Sequence, residues 1–242
     1  MQYITPSGSA FDLYQKMLAA PHLLIAGSTG SGKSVLINSL VATALYGSPA
    51  RSEFVLLDPK TTELWQWSKL PHTIGYAYET DEMLKLLRST VEIMENRLRH
   101  MHQMGERVWS GAQIYVVIDE LADLLTTCKA DASPLIQRIG QIGRAAGIHL
   151  IAATQCLLAS VISTPIRVNL SSIVCLRTAT KRQSVFVCDR PGAELFPDPA
   201  ATGRALAYYR TGADIKSFEV YRVPDDEQQR LIAWWMDPAH TI

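Results

Sequence analysis

The chain has 242 residues, 48% apolar and 19% charged, with lysine plus arginine equal to aspartate plus glutamate at 23 each. That composition excludes a disordered chain, and the length suits one large α/β domain with an appendage, not two full domains. Zero net charge leaves no whole-molecule field to hold a polyanion, so a nucleic-acid partner has to be gripped by a local patch.

Cys128, Cys156, Cys175 and Cys188 lie far apart, with no C-x-x-C and no histidine spaced to complete a zinc site, and they read as reduced thiols. No apolar run reaches the ~18 residues of a membrane span. The opening, MQYITPSGSAF, lacks both the basic and the apolar region of a signal peptide. The expected location is cytoplasmic, with no membrane segment in the chain.

Taken in order, Phe11, Leu13, Tyr14, Met17 and Leu18 predict an amphipathic lead-in over residues 1–20 that packs on a first strand at Leu23–Ala26. Residues 27–34, Gly-Ser-Thr-Gly-Ser-Gly-Lys-Ser, then satisfy G-x-x-x-x-G-K-[ST] in full. A helix follows, with Val35, Leu36, Leu40, Val41 and Leu45 at helical spacing. This strand, loop, helix order makes the motif a phosphate cradle for ATP. Gly27, Gly30 and Gly32 let the backbone bend close, so that the N–H groups of a loop comprising also Ser28, Thr29 and Ser31 face the negative charge. Lys33 reaches the terminal phosphates, and Ser34 offers its hydroxyl to Mg2+.

Gly47-Ser48-Pro49 stops that helix. A second strand, Glu53–Leu57, delivers Asp58-Pro59-Lys60 to the carboxyl end of a sheet, where open α/β folds build their sites. Thr80-Asp81-Glu82 opens a long helix with the apolar stripe Met83, Leu84, Leu87, Val91, Met94, Leu98 and Met101; the mixed charges opposite read as a solvated face. Residues 113–118 form the strongest strand and run into Asp119-Glu120. Such a Walker B pair lets Asp119 hold magnesium through its water shell and Glu120 orient and deprotonate the attacking water. Ser133-Pro134 predicts the start of a further helix that ends near Gly143–Gly147. The next strand, Ile148–Ala153, carries Thr154-Gln155 to the same rim. Gln155 reads either as a γ-phosphate sensor or as a satisfied polar residue at a strand end.

A polar loop from Ser160 to Pro165, a strand at Ser172–Leu176 and a short helix opening at Lys181-Arg182 come next. Arg204–Arg210 and Ile215–Val220, joined by Thr211-Gly212-Ala213-Asp214, predict a hairpin, and Pro224 opens a closing helix. The expected organisation is one domain over 1–242: lead-in 1–20, core 21–200, and hairpin with closing helix 201–242.

The stretches PHLLIAGSTGSGKSVLINSL, LLDPKTTELWQWSKLPH, VVIDELADLL and GRAAGIHLIAATQ, in this order, resemble the motor domain of the FtsK/SpoIIIE double-stranded DNA translocases, a HerA/FtsK branch of RecA-like ring ATPases. The resemblance implies an α/β, RecA-like P-loop NTPase fold, with a mostly parallel central sheet flanked by helices. It further implies ATP and Mg2+, double-stranded DNA as partner, and a homo-oligomeric ring, a hexamer. Lys33, Glu120, Arg144 and Gln155 match the family's catalytic positions. Arg144 matches the arginine that reaches into the neighbouring subunit's nucleotide; its other reading is a cation complementing a helix C-terminus. Arg167 and Lys181, with Arg182 beside the latter, match the segments that touch DNA phosphates.

Three departures qualify the resemblance. Cys156-Leu157-Leu158 stand where the family continues with arginine, proline and serine. Neither the family's winged-helix module nor its membrane-anchored region is expected in these 242 residues, so the expectation is a minimal motor of a phage or other mobile element, or a motor cut from a longer chain, with a separate anchoring or DNA-reading partner. Alternatives within reach are a conjugative coupling or genome-packaging ATPase, and an ATP-binding scaffold with little turnover.

Overall fold

Apolar runs bounded by polar turns become the strands of one eight-stranded sheet, in the order β3-β2-β4-β5-β1-β6-β7-β8. The computed structural model describes residues 9–156, 161–237 and 239. The strands are β1 (His22–Ala26), β2 (Ser52–Leu57), β3 (Thr73–Ala77), β4 (Gln113–Ile118), β5 (Ile148–Thr154), β6 (Ser172–Cys175), β7 (Leu206–Thr211) and β8 (Asp214–Glu219). The first six are parallel, and β7 and β8 add an antiparallel hairpin at one edge. The helices are α1 (Ser9–Ala19), α2 (Lys33–Gly47), α3 (Thr80–Met104), α4 (Leu121–Ile142), α5 (Thr164–Asn169), α6 (Lys181–Cys188), α7 (Pro199–Thr202) and α8 (Asp225–Met236).

Alternation along each strand divides the core in two. On β1, Leu24 and Ala26 face the side covered by α3, α4, α5 and α6, while Leu23 and Ile25 face α1, α2 and α8. Both faces of the parallel strands are therefore buried, which is why β1, β4 and β5 read as nearly continuous apolar runs. The lead-in helix belongs to the second layer. Tyr14 is fully buried, and its hydroxyl both accepts from the Tyr221 N–H at 2.8 Å and donates to the Tyr221 carbonyl at 3.3 Å. Among the described residues, no helix is long and apolar enough to cross a membrane.

Three expectations change. A further helical segment does follow, but it starts ahead of Ser133-Pro134: α4 is kinked at the non-helical Cys128 (φ −140°, ψ 46°), its first half opens at Leu121, and Pro134 lies inside its second half. Ser133 caps nothing, since its Oγ has no hydrogen-bond partner. The apolar stripe Leu121, Leu124, Leu125, Ala132, Ile136 and Ile139 holds both halves on the sheet and overrides the proline signal. Secondly, the loop expected over Ser160–Pro165 yields at its far end to α5, which Thr164 and Pro165 open; residues 157–160, including Leu157 and Leu158, lie outside the described residues. Thirdly, β3 was not legible. Thr73, Ile74 and Tyr76 are β-formers, but Gly75 interrupts them at the centre of a five-residue edge strand that lacks a buried apolar run.

Candidate nucleotide site

The sheet order sets the carboxyl ends of β2, β4, β5 and β1 side by side, and each ends in a polar residue of the site. The loop after β1 is stitched to its neighbours by backbone bonds: the Gly27 N–H donates to Thr154 and the Ser28 N–H to Arg177, at 3.3 and 2.9 Å. Gly32 turns the chain into α2 with φ +98°, and a Cβ there would lie 2.9 Å from that of Ala205. The N-terminus of α2 thus opens onto a cleft of about 470 Å³, lined by Thr29, Gly30, Gly32, Lys33, Ser34, Lys60, Asp119 and Gln155 on the polar side. Pro199, Ala200, Ala205 and Val220 give the same cleft an apolar wall, with Arg222 at its rim.

Lys33 is buried, and its Nζ donates to the carbonyls of Gly27 and Ser28 at 2.8 and 2.9 Å. Burial lowers its pKa to about 8, against the opposing pull of Glu120 and Asp119. Asp119 is pushed up to about 6, chiefly by burial and then by the carboxylates of Asp58, Glu63 and Glu120. Glu120, 2% exposed, is held on several sides: Thr154 Oγ1 donates to Oε1 at 2.9 Å, and the Gln155 N–H reaches both carboxylate oxygens at 3.1 Å. Lys60 Nζ stands 3.6 Å from Glu120 Oε2 and 3.6 Å from Asp123 Oδ2. The Gln155 side chain accepts a 2.7 Å bond from Thr29 Oγ1.

These residues fit a magnesium nucleotide. Ser31 Oγ and Asp58 Oδ1 are buried without a hydrogen-bond partner, so polar capacity remains beside the cleft. Ser34 and Asp119 are hard oxygen donors of the kind magnesium takes. The structure brings Lys33, Ser34, Asp119, Glu120, Gln155 and the loop 27–34 together.

Arg144 is elsewhere. It precedes β5, whereas Gln155 follows it, so the seven residues of that strand separate the two along the sheet. Arg144 is exposed and lines a second cleft, of about 530 Å³, with Lys16, Ser171, Ser172, Tyr209 and Lys216. The three candidate DNA contacts also part. Lys181 and Arg182 are exposed at the start of α6, but Arg167 is half-buried, donates to the Phe186 carbonyl at 3.0 Å and stacks over the Phe186 ring at 4.5 Å. The sequence placed Lys60 at a strand end without a role. It gave no sign of the apolar wall, whose residues lie over 160 positions from the loop they face.

A parallel sheet with this loop at its centre, and the acids on β4 with one strand, β5, between them, defines a RecA-like P-loop NTPase. The sequence model of the FtsK/SpoIIIE family matches residues 5–113 and 110–160, and the chain belongs to that family. It is 39% identical over 199 residues to the DNA translocase FtsK of Chlorobaculum tepidum, covering 74% of this chain and 25% of that protein. With the DNA translocase FtsK of Helicobacter pylori the identity is 36% over 221 residues, covering 81% of this chain and 26% of that one. The chain thus spans about a quarter of the length of these relatives. Among solved structures, the pCW3 conjugation coupling protein TcpA, in its monomer form with ATPγS, superposes with a TM-score of 0.75 at 26% identity, over 90% of this chain and 65% of that one.

Proposed function

We propose that the chain, over 1–242, is a single ATPase motor unit that hydrolyses ATP with Mg2+ and drives double-stranded DNA as a homo-oligomeric ring, with six subunits and a cytoplasmic location. The observation that carries this reading is the division of the machinery. Lys33, Asp119 and Gln155 line one cleft, with the buried Glu120 bonded to Gln155 behind it, while Arg144 stands exposed at the opposite rim of the sheet, before the amino end of β5. An arginine so placed completes a site only across a subunit boundary.

In this reading, the loop N–H groups and the start of α2 hold the phosphates, and Lys33 exchanges the Gly27 and Ser28 carbonyls for phosphate oxygens. Ser34 and Asp119 hold magnesium, which would neutralise charge on the transferred phosphoryl group. Glu120 takes a proton from the attacking water, and Gln155 stands between the P-loop and Glu120. Arg144 of one subunit neutralises transition-state charge in the next. Lys181 and Arg182 supply phosphate contacts that carry no base information, as suits a motor that moves along any sequence.

The test is steady-state ATP hydrolysis with and without linear duplex DNA. Lys33→Ala and Glu120→Gln are expected to abolish the stimulated rate, and retention of that rate in either variant overturns the assignment. Mixed rings of Arg144→Ala and Glu120→Gln subunits are expected to regain activity that each lacks alone. The likeness to TcpA favours a second reading, a coupling ATPase of a mobile element. Stronger stimulation by single-stranded than by double-stranded DNA would select it.

A further inference from the structure

The turn that carries Arg144 is bonded at every carbonyl. The Ile148 N–H donates to Gly143 at 2.9 Å, Gly147 to Arg144 at 3.2 Å, Trp109 to Ala145 at 2.8 Å and Ile114 to Gly147 at 2.8 Å. The remaining carbonyl, of Ala146, accepts from Arg97 Nη1 at 3.0 Å. Arg97 and Trp109 therefore grip the turn from outside the sheet ladder. They also hold each other, the Arg97 guanidinium lying 4.7 Å from the Trp109 ring centroid. Arg97 comes from α3, is 11% exposed, and has Glu53 Oε2 at 3.6 Å. Gly147 has φ +67°, and a Cβ there would lie 2.9 Å from Trp109 Cδ1, so the indole is packed directly on the turn. Arg144 itself is exposed, and among the described residues no hydrogen bond or ion pair holds its guanidinium. Its aim depends on the backbone beneath it.

We propose that Arg97, with Trp109, is a positioning residue for Arg144: it fixes the 143–147 turn so that Arg144 meets the neighbouring subunit's nucleotide. This rests on the reading of Arg144 as the group that completes that neighbouring site. A guanidinium offered across a boundary works only within a narrow geometry, and misplacement by about 1 Å costs on the order of 10²-fold in rate. Arg97 touches no residue of its own subunit's nucleotide cleft, so its loss acts on the next subunit.

The experiment measures DNA-stimulated ATP hydrolysis by assembled protein. Arg97→Ala is expected to lower kcat about tenfold or more with KM for ATP within about twofold, and Arg97→Lys to recover part of the loss because its ammonium can still donate to the Ala146 carbonyl but not with the planar fork that also stacks on Trp109. Mixing Arg97→Ala with Glu120→Gln subunits is expected to restore part of the turnover, because one of the two orientations of a mixed boundary pairs the intact Glu120 of the first with the intact Arg144 turn of the second. A merely structural defect would stay with its own subunit, so absence of rescue overturns the proposal, as does an unchanged kcat in Arg97→Ala. Should Arg97→Ala fail to fold, Trp109→Phe must show the same kcat loss and the same rescue, and failure of either overturns it equally. An Arg144→Ala variant with full turnover would instead remove the neighbouring-site reading itself. An inactive Arg144→Ala beside a normal Arg97→Ala removes only this inference.

Discussion

Thr29 donates its hydroxyl to the Gln155 side-chain oxygen across 2.7 Å, joining the tip of the P-loop to the end of β5 from 126 positions away. The backbone N–H of the same glutamine donates to both oxygens of Glu120. One residue thus bridges the 27–34 loop and the buried Glu120 carboxylate. Gln155→Ala is expected to lower DNA-stimulated turnover by about 10²-fold while ATP affinity changes less than about threefold, because it removes a contact made in the transition state rather than uniform binding. Turnover alongside titration with a fluorescent ATP analogue checks this. Equal losses in both would make Gln155 a binding residue.

Asp119 carries a pH signature. Its pKa is about 6 in the folded protein against 3.8 for the free side chain. The folded state therefore binds more protons than the unfolded one between these values, and stability falls as pH rises from about 4 to about 6. By about pH 7 the loss is complete, on the order of 3 kcal/mol. Asp119→Asn is expected to raise the Tm at pH 7.5 but not at pH 4, while abolishing magnesium-dependent hydrolysis. Thermal unfolding at the two pH values decides it; a lower Tm at pH 7.5 would contradict the sign.

Gly32 combines φ +98° with a hypothetical Cβ 2.9 Å from Ala205. Gly32→Ala is expected to cost about 1–3 kcal/mol, enough to lower the Tm by several degrees, and to remove ATP binding. Adding Ala205→Gly relieves the contact but not the dihedral strain, so it should recover only part of the stability. Full recovery by the double variant would show that strain is absent.

The three basic candidates should separate in experiment as they do in space. Arg167→Ala loses a bond to the Phe186 carbonyl and the stack on its ring, so it is expected to cost about 1–2 kcal/mol of stability. Lys181→Ala and Arg182→Ala, on exposed side chains, should leave the Tm within about 1 °C. Each is instead expected to weaken duplex binding and to reduce the salt slope, d log K/d log[salt], by about one per lost phosphate contact. Binding titrations over a salt series, paired with thermal unfolding, read both effects.

What was legible in the sequence was local. The phosphate loop, the strand running into Asp119-Glu120, the rim residue Gln155 and the 204–220 hairpin each advertise themselves within about ten residues, through motif spacing or two-residue alternation. The α4 helix misled because Ser133-Pro134 is a strong local signal, while burial of Leu121, Leu124 and Leu125 is a tertiary one. β3 was missed because Gly75 breaks its β-formers Thr73, Ile74 and Tyr76, and an edge strand half open to solvent needs no continuous apolar run.

The sequence by itself determined which groups this ATPase fold carries and on which ends of which strands they sit. Only the tertiary structure decided their company: Thr29 with Gln155, Lys60 with Glu120, Arg167 with Phe186, and Arg144 at the rim opposite the phosphate loop. The physical reason is that a parallel sheet is ordered by pairing and crossover rather than by chain position. β4 and β5 come between β2 and β1, so residues more than a hundred positions apart meet at one rim, while Gln155 and Arg144, eleven apart, end on opposite ones.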